Sequence, residues 1–91
     1  MEKITDQKFT QERALFGRRD VYLNGCVFDE GESPLKEAAH VRAEQCLFRY
    51  KYPFWFCDGV ELERVTFFEK ARAGVWYTKH FCMRDAIVEA P

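Results

Sequence analysis

Val21-Tyr22-Leu23-Asn24-Gly25-Cys26-Val27-Phe28 decides the fold. Its apolar pattern, Val21-x-Leu23-x-x-Cys26-x-Phe28, returns as Val41-x-Ala43-x-x-Cys46-x-Phe48, Val60-x-Leu62-x-x-Val65-x-Phe67 and Phe81-x-Met83-x-x-Ala86-x-Val88. The starts of the four copies lie 20, 19 and 21 residues apart. A period near twenty, with alternation of apolar and polar residues inside each copy, is the pattern of a stacked β-repeat whose turns bury their inner side chains against one another. Asn24-Gly25 alone would read as a hairpin turn. The matching positions Glu44-Gln45, Glu63-Arg64 and Arg84-Asp85 do not favour the positive φ a two-residue hairpin needs. These sites are therefore read as corners, at which the step of three from Leu23 to Cys26 turns the inner face back inward.

The register extends outward from these copies. Ser33-Pro34-Leu35-Lys36-Glu37 aligns with Tyr52-Pro53-Phe54-Trp55-Phe56, with Ala73-Gly74-Val75-Trp76-Tyr77 and with Arg13-Ala14-Leu15-Phe16-Gly17. Each repeat thus gains a third extended piece around Leu35, Phe54 or Val75. The expected fold is all-β: a right-handed parallel β-helix, or solenoid, of about four coils with roughly 20 residues each. Residues 1–91 form one domain, with 1–12 as an N-terminal cap segment and 13–91 as stacked coils, incomplete at the C-terminal end. Prolines and glycines interrupt every helical candidate except Lys36 to Arg42.

Composition narrows the function classes. With 14 basic and 15 acidic residues spread along the chain and a net charge of -1, nothing supplies the basic footprint that nucleic acid or an anionic membrane selects. No apolar run reaches the roughly 18 residues of a spanning helix. The start, Met1 to Lys8, lacks the apolar core of a signal peptide, so a cytoplasmic location is expected. The four cysteines contain no C-x-x-C pair. Cys26 and Cys46 share a repeat position, which places them about one strand spacing, 4.8 Å, apart in the core as reduced thiols.

The segments Gly31 to Glu37, Lys51 to Trp55 and Ala71 to Thr78 resemble an uncharacterised bacterial family of pectin-lyase-like right-handed parallel β-helices. The resemblance runs from about Phe9 to Pro91 and covers the N-terminal part of longer members. It implies the fold and assigns no catalytic residue.

Aligned coils turn the sequence into columns. One holds Glu12, Glu32, Lys51 and Arg72, where Glu32 and Lys51 are the natural ion pair. It reads either as a solvated charge ladder or as a site for an acidic sugar. A second holds Phe16, Lys36, Trp55 and Trp76, which alternation turns outward if Leu15, Leu35, Phe54 and Val75 face in. Exposed aromatic faces suit sugar rings or a protein partner, unless another segment covers them. A third, Val27, Leu47, Thr66 and Ile87, offers an apolar outer face, so self-association is expected either there, through Val27, Leu47 and Ile87, or through the open C-terminal coil. His40 and His80 align two coils apart with Gly59 between them, at about 9.6 Å by strand spacing. That separation reads as too wide for imidazoles alone to share a metal, and no metal or cofactor is expected.

The leading expectation is a binding or interaction module with a carbohydrate ligand, using Lys36, Lys51, Trp55, Arg72 and Trp76. The first alternative is a polysaccharide lyase or glycoside hydrolase acting on acidic sugars, with Glu32, Lys51 and Arg72 as its candidate catalytic groups. The second is a ligand-free structural fragment of a longer β-helix.

Overall fold

A computed structural model describes residues 1–71 and 77–89. It has two parallel five-stranded sheets. The first carries β1 (Glu2–Thr5), β3 (Arg19–Asn24), β5 (Ala39–Glu44), β7 (Asp58–Glu63) and β9 (Lys79–Arg84), stacked in that order. The second carries β2 (Lys8–Phe9), β4 (Val27–Phe28), β6 (Leu47–Phe48), β8 (Thr66–Phe67) and β10 (Ile87–Val88). Register follows the repeat: Val21 pairs with Val41, Val41 with Val60, and Val60 with Phe81. The chain is a parallel β-solenoid of about four turns with about twenty residues per turn.

Alternation determines what each strand buries. Val21, Leu23, Cys26 and Phe28 lie in the core, as do Val41, Ala43, Cys46 and Phe48, then Val60, Leu62, Val65 and Phe67. The phenylalanine column forms a stack, with Phe9–Phe28, Phe28–Phe48 and Phe48–Phe67 centroids at 4.9, 5.1 and 5.1 Å. Each such contact adds about 0.5–1.5 kcal/mol beyond its buried area. A finer period also appears, because Leu23, Phe28, Ser33, Ala38, Ala43 and Phe48 are all buried at intervals of five residues.

Three sequence expectations change in detail. The corners are corners, but they do use positive φ: Asp6, Gly25, Gln45, Arg64 and Asp85 sit at 52°, 68°, 54°, 52° and 50°. Their backbone remains in the ladder, which offsets the conformational cost. Asp6, Gly25, Gln45 and Arg64 each donate N–H to a carbonyl of the next coil at 2.8–3.1 Å.

The third extended piece is instead a ladder of turns. Phe16 N donates to Arg13 O at 3.1 Å and Lys36 N to Ser33 O at 3.2 Å, which curls each segment. Between coils, Leu15 N donates to Pro34 O at 2.7 Å and Leu35 N to Pro53 O at 3.1 Å. Proline lacks an N–H, but only its carbonyl is needed here. The inner residues Leu15, Leu35 and Phe54 are buried as expected, while Val75 lies outside the described residues. Lys36 to Arg42 forms no helical turn; it passes from this turn ladder into β5.

Within the expected cap segment 1–12, residues 2–5 and 8–9 pair as strands with the next coil. Glu2 and Ile4 pair with Val21 and Leu23, and Phe9 pairs with Phe28. Ile4-x-x-Gln7-x-Phe9 carries half of the apolar pattern.

Candidate functional site

The turn ladder meets the first sheet at a corner where the chain again adopts positive φ, at Gly17, Glu37, Phe56 and Tyr77. Strict alternation from inward Phe54 would turn Phe56 inward. The left-handed residue breaks that parity and swings Phe56 out, leaving it 51% exposed and Tyr77 66% exposed. The two rings stack at 4.8 Å with an 8° interplanar angle. Below them, on the side of the preceding coil, lies a shallow depression of about 480 Å³ lined by Arg19, Lys36, Glu37, Phe56 and Asp58, with Ala38 and Ala39 beside them. Exposed aromatic carbon, two cations and two carboxylates therefore meet on one surface.

Of the sequence candidates, Lys36 lines this depression. Trp55 stands beside it as a half-buried ring, edge-on to Tyr52 at 4.4 Å and tilted against Phe56 and Tyr77 at 6.0 and 6.3 Å. Trp55 thus buttresses the exposed pair. Phe16, in the same column, is 48% exposed. Lys51 lies elsewhere, its ammonium 5.6 Å from the Tyr50 ring centre, and it forms no ion pair with Glu32 among the described residues. Trp76 and Arg72 lie outside the described residues. On the second sheet, Val27, Leu47 and Thr66 are half-buried and Ile87 is 60% exposed.

Sequence reasoning missed Phe56, Tyr77, Arg19, Glu37 and Asp58. The available signal was the column Gly17-Glu37-Phe56-Tyr77, whose glycine marks a backbone position where period-two parity fails.

Two further pairs occupy the outer edge of the first sheet. His40 Nδ1 lies 2.6 Å from Asp20 Oδ1, and His80 Nδ1 lies 2.6 Å from Asp58 Oδ1. These hydrogen bonds hold both carboxyls below the usual aspartate value. The side chains remain mostly exposed. Nearby, Glu44 joins Tyr22 at 3.2 Å, Arg42 at 3.2 Å and Arg64 at 3.7 Å.

The interior carries the thiols. Cys26, Cys46 and Cys57 are buried, Cys82 is exposed, and all four are free. Cys57 Sγ donates to Leu35 O at 2.8 Å, and burial pushes its thiol up to about 11. Cys46 is also held as a thiol, by its hydrogen bond to Cys26 and then by burial.

The fold and surface define a small parallel β-solenoid with an aromatic and charged corner. Residues 2–91 match the family described as a protein of unknown function, DUF3737, and the chain belongs to that family. No curated protein and no solved structure matches it.

Proposed function

We propose that the chain is a carbohydrate-binding module whose site is the corner formed by Phe56, Tyr77, Lys36, Arg19, Glu37 and Asp58. The observation that carries the reading is the exposed Phe56–Tyr77 stack beside the charged depression. Sugar rings present apolar C–H faces that pack on aromatic carbon, and their rims carry hydroxyls that both cations and carboxylates hydrogen-bond. A shallow, open surface suits an internal stretch of a polysaccharide. Mixed charge favours neutral or weakly acidic sugars over polyanions.

The lyase or hydrolase reading has less support, because Lys51 and Glu32 form no ion pair among the described residues. A pectin-lyase-like kinship, drawn from the three resembling segments, belongs to this proposal. So does a cytoplasmic location, which four free cysteines favour.

A glycan array tests the reading. Binding to a defined glycan, weakened at least about tenfold, or roughly 1.4 kcal/mol, by Phe56→Ala and by Tyr77→Ala, is expected. Silence across the array, or binding indifferent to both substitutions, rejects it.

A further inference from the structure

We propose that the sugar unit held at this corner is acidic, with a single carboxylate that Arg19 and Lys36 bind; the inference rests on the carbohydrate reading above. Arg19 differs from the other described arginines in what it holds. Arg18, Arg42, Arg64 and Arg84 each reach a glutamate carboxylate at 2.9–3.7 Å. Arg13 and Arg49 lie over phenylalanine rings, 5.8 and 4.7 Å from the centroids. Among the described residues, Arg19 has no ion pair, side-chain hydrogen bond or ring contact, and neither has the Lys36 ammonium. Both line the depression beside Phe56. Surface ion pairs add little stability, but a guanidinium that already holds a carboxylate must release it to bind another. Arg19 has none to release.

The repeat shapes the depression around these cations. Arg19 pairs with Ala39 and Ala39 with Asp58, so the three are successive positions of one column. The small side chain of Ala39 leaves a dip between Arg19 and Asp58, whose backbones stand two strand spacings, about 9.6 Å, apart. Phe56 stacks one face on Tyr77 of the next coil, at 4.8 Å, which leaves its other face toward this dip. A sugar ring fits there with its C–H face on Phe56.

Not all four charges of the depression are open to a ligand. The Asp58 carboxylate accepts a hydrogen bond from His80 Nδ1 at 2.6 Å. Glu37 has no ion pair among the described residues. Two free cations therefore stand against one free carboxylate, a balance that suits one negative charge per sugar unit. The planar guanidinium fork of Arg19 matches a carboxylate with two parallel N–H···O bonds. Glu37 accepts from a sugar hydroxyl, and its charge also repels a more densely charged chain.

Matched oligosaccharides that differ only at C6 separate the charge from the sugar: gluco-, manno- and galacto-oligosaccharides against the corresponding glucuronate, mannuronate and galacturonate chains. In calorimetric titrations of the full chain, at least one uronate is expected to bind tenfold or more tightly than its neutral partner. Arg19→Gln and Lys36→Gln should each remove most of that preference, with neutral-chain affinity changed less than about twofold, or roughly 0.4 kcal/mol. Arg19→Gln should leave the melting temperature unchanged, and Phe56→Ala should weaken both members of the pair. Equal affinity within every pair, a preference that survives Arg19→Gln, or tighter binding of a sulfated counterpart would overturn the assignment and leave the carbohydrate reading standing. Absence of binding to all six chains would overturn it too, and the glycan array then decides the carbohydrate reading by itself.

Discussion

At the residue scale, the buried thiols couple stability to alkaline pH. Cys57 is almost completely buried and its thiol donates a hydrogen bond to the Leu35 carbonyl at 2.8 Å; burial makes the folded chain resist forming the thiolate. Its folded value, about 11, lies above the unfolded value near 9.0. Stability from this group is therefore fully present below about pH 9. It is lost as pH rises toward 11, because the unfolded chain releases the proton first. The melting temperature should fall across that window, and Cys57→Ala should make the fall shallower. An unchanged slope in the variant would show that the thiol is not held neutral by the fold. The sequence already placed Cys26 and Cys46 as core neighbours, because their shared repeat position carries that information. It did not place Cys57, which falls outside the apolar pattern.

Among the elements, the corner does most to shape the coil, and it is the feature the sequence conveyed only in part. The step of three from Leu23 to Cys26 revealed that the chain bends. It did not reveal that one left-handed residue makes the bend, because Gln45 and Arg64 are not residues that advertise positive φ. Ladder hydrogen bonds from their N–H groups override local preference. The same physics hid part of the candidate site: a left-handed residue at Phe56 reverses parity, so alternation pointed to Trp55 and passed over Phe56. Gly25→Ala should cost about 1–2 kcal/mol, since an L side chain in that region is strained. Gln45→Gly should gain up to about 1 kcal/mol from relief of that strain, less the added chain entropy. Urea denaturation measures both. Two substitutions of equal sign would contradict this account of the corner.

For the whole molecule, each coil touches only its neighbours, so stability is close to a sum of coil and interface contributions. The molecule measures 30 × 24 × 22 Å. The central strands β5 and β7 have a neighbour on both sides and bury their inward residues, whereas every residue of β9 is exposed. Amide exchange should therefore be slowest in β5 and β7 and faster in β1 and β9, with uniform protection excluding this picture. The solenoid matters to function because it repeats columns at a fixed spacing, and the candidate surface arises where one column changes from Gly17 and Glu37 to Phe56 and Tyr77. The most direct test of that claim is a ¹H–¹⁵N chemical-shift titration of the chain with a glycan that it binds. The account predicts shifts concentrated at Lys36 to Ala39, Phe56 to Asp58 and Tyr77; shifts centred on the second sheet, or none at those residues, would contradict it.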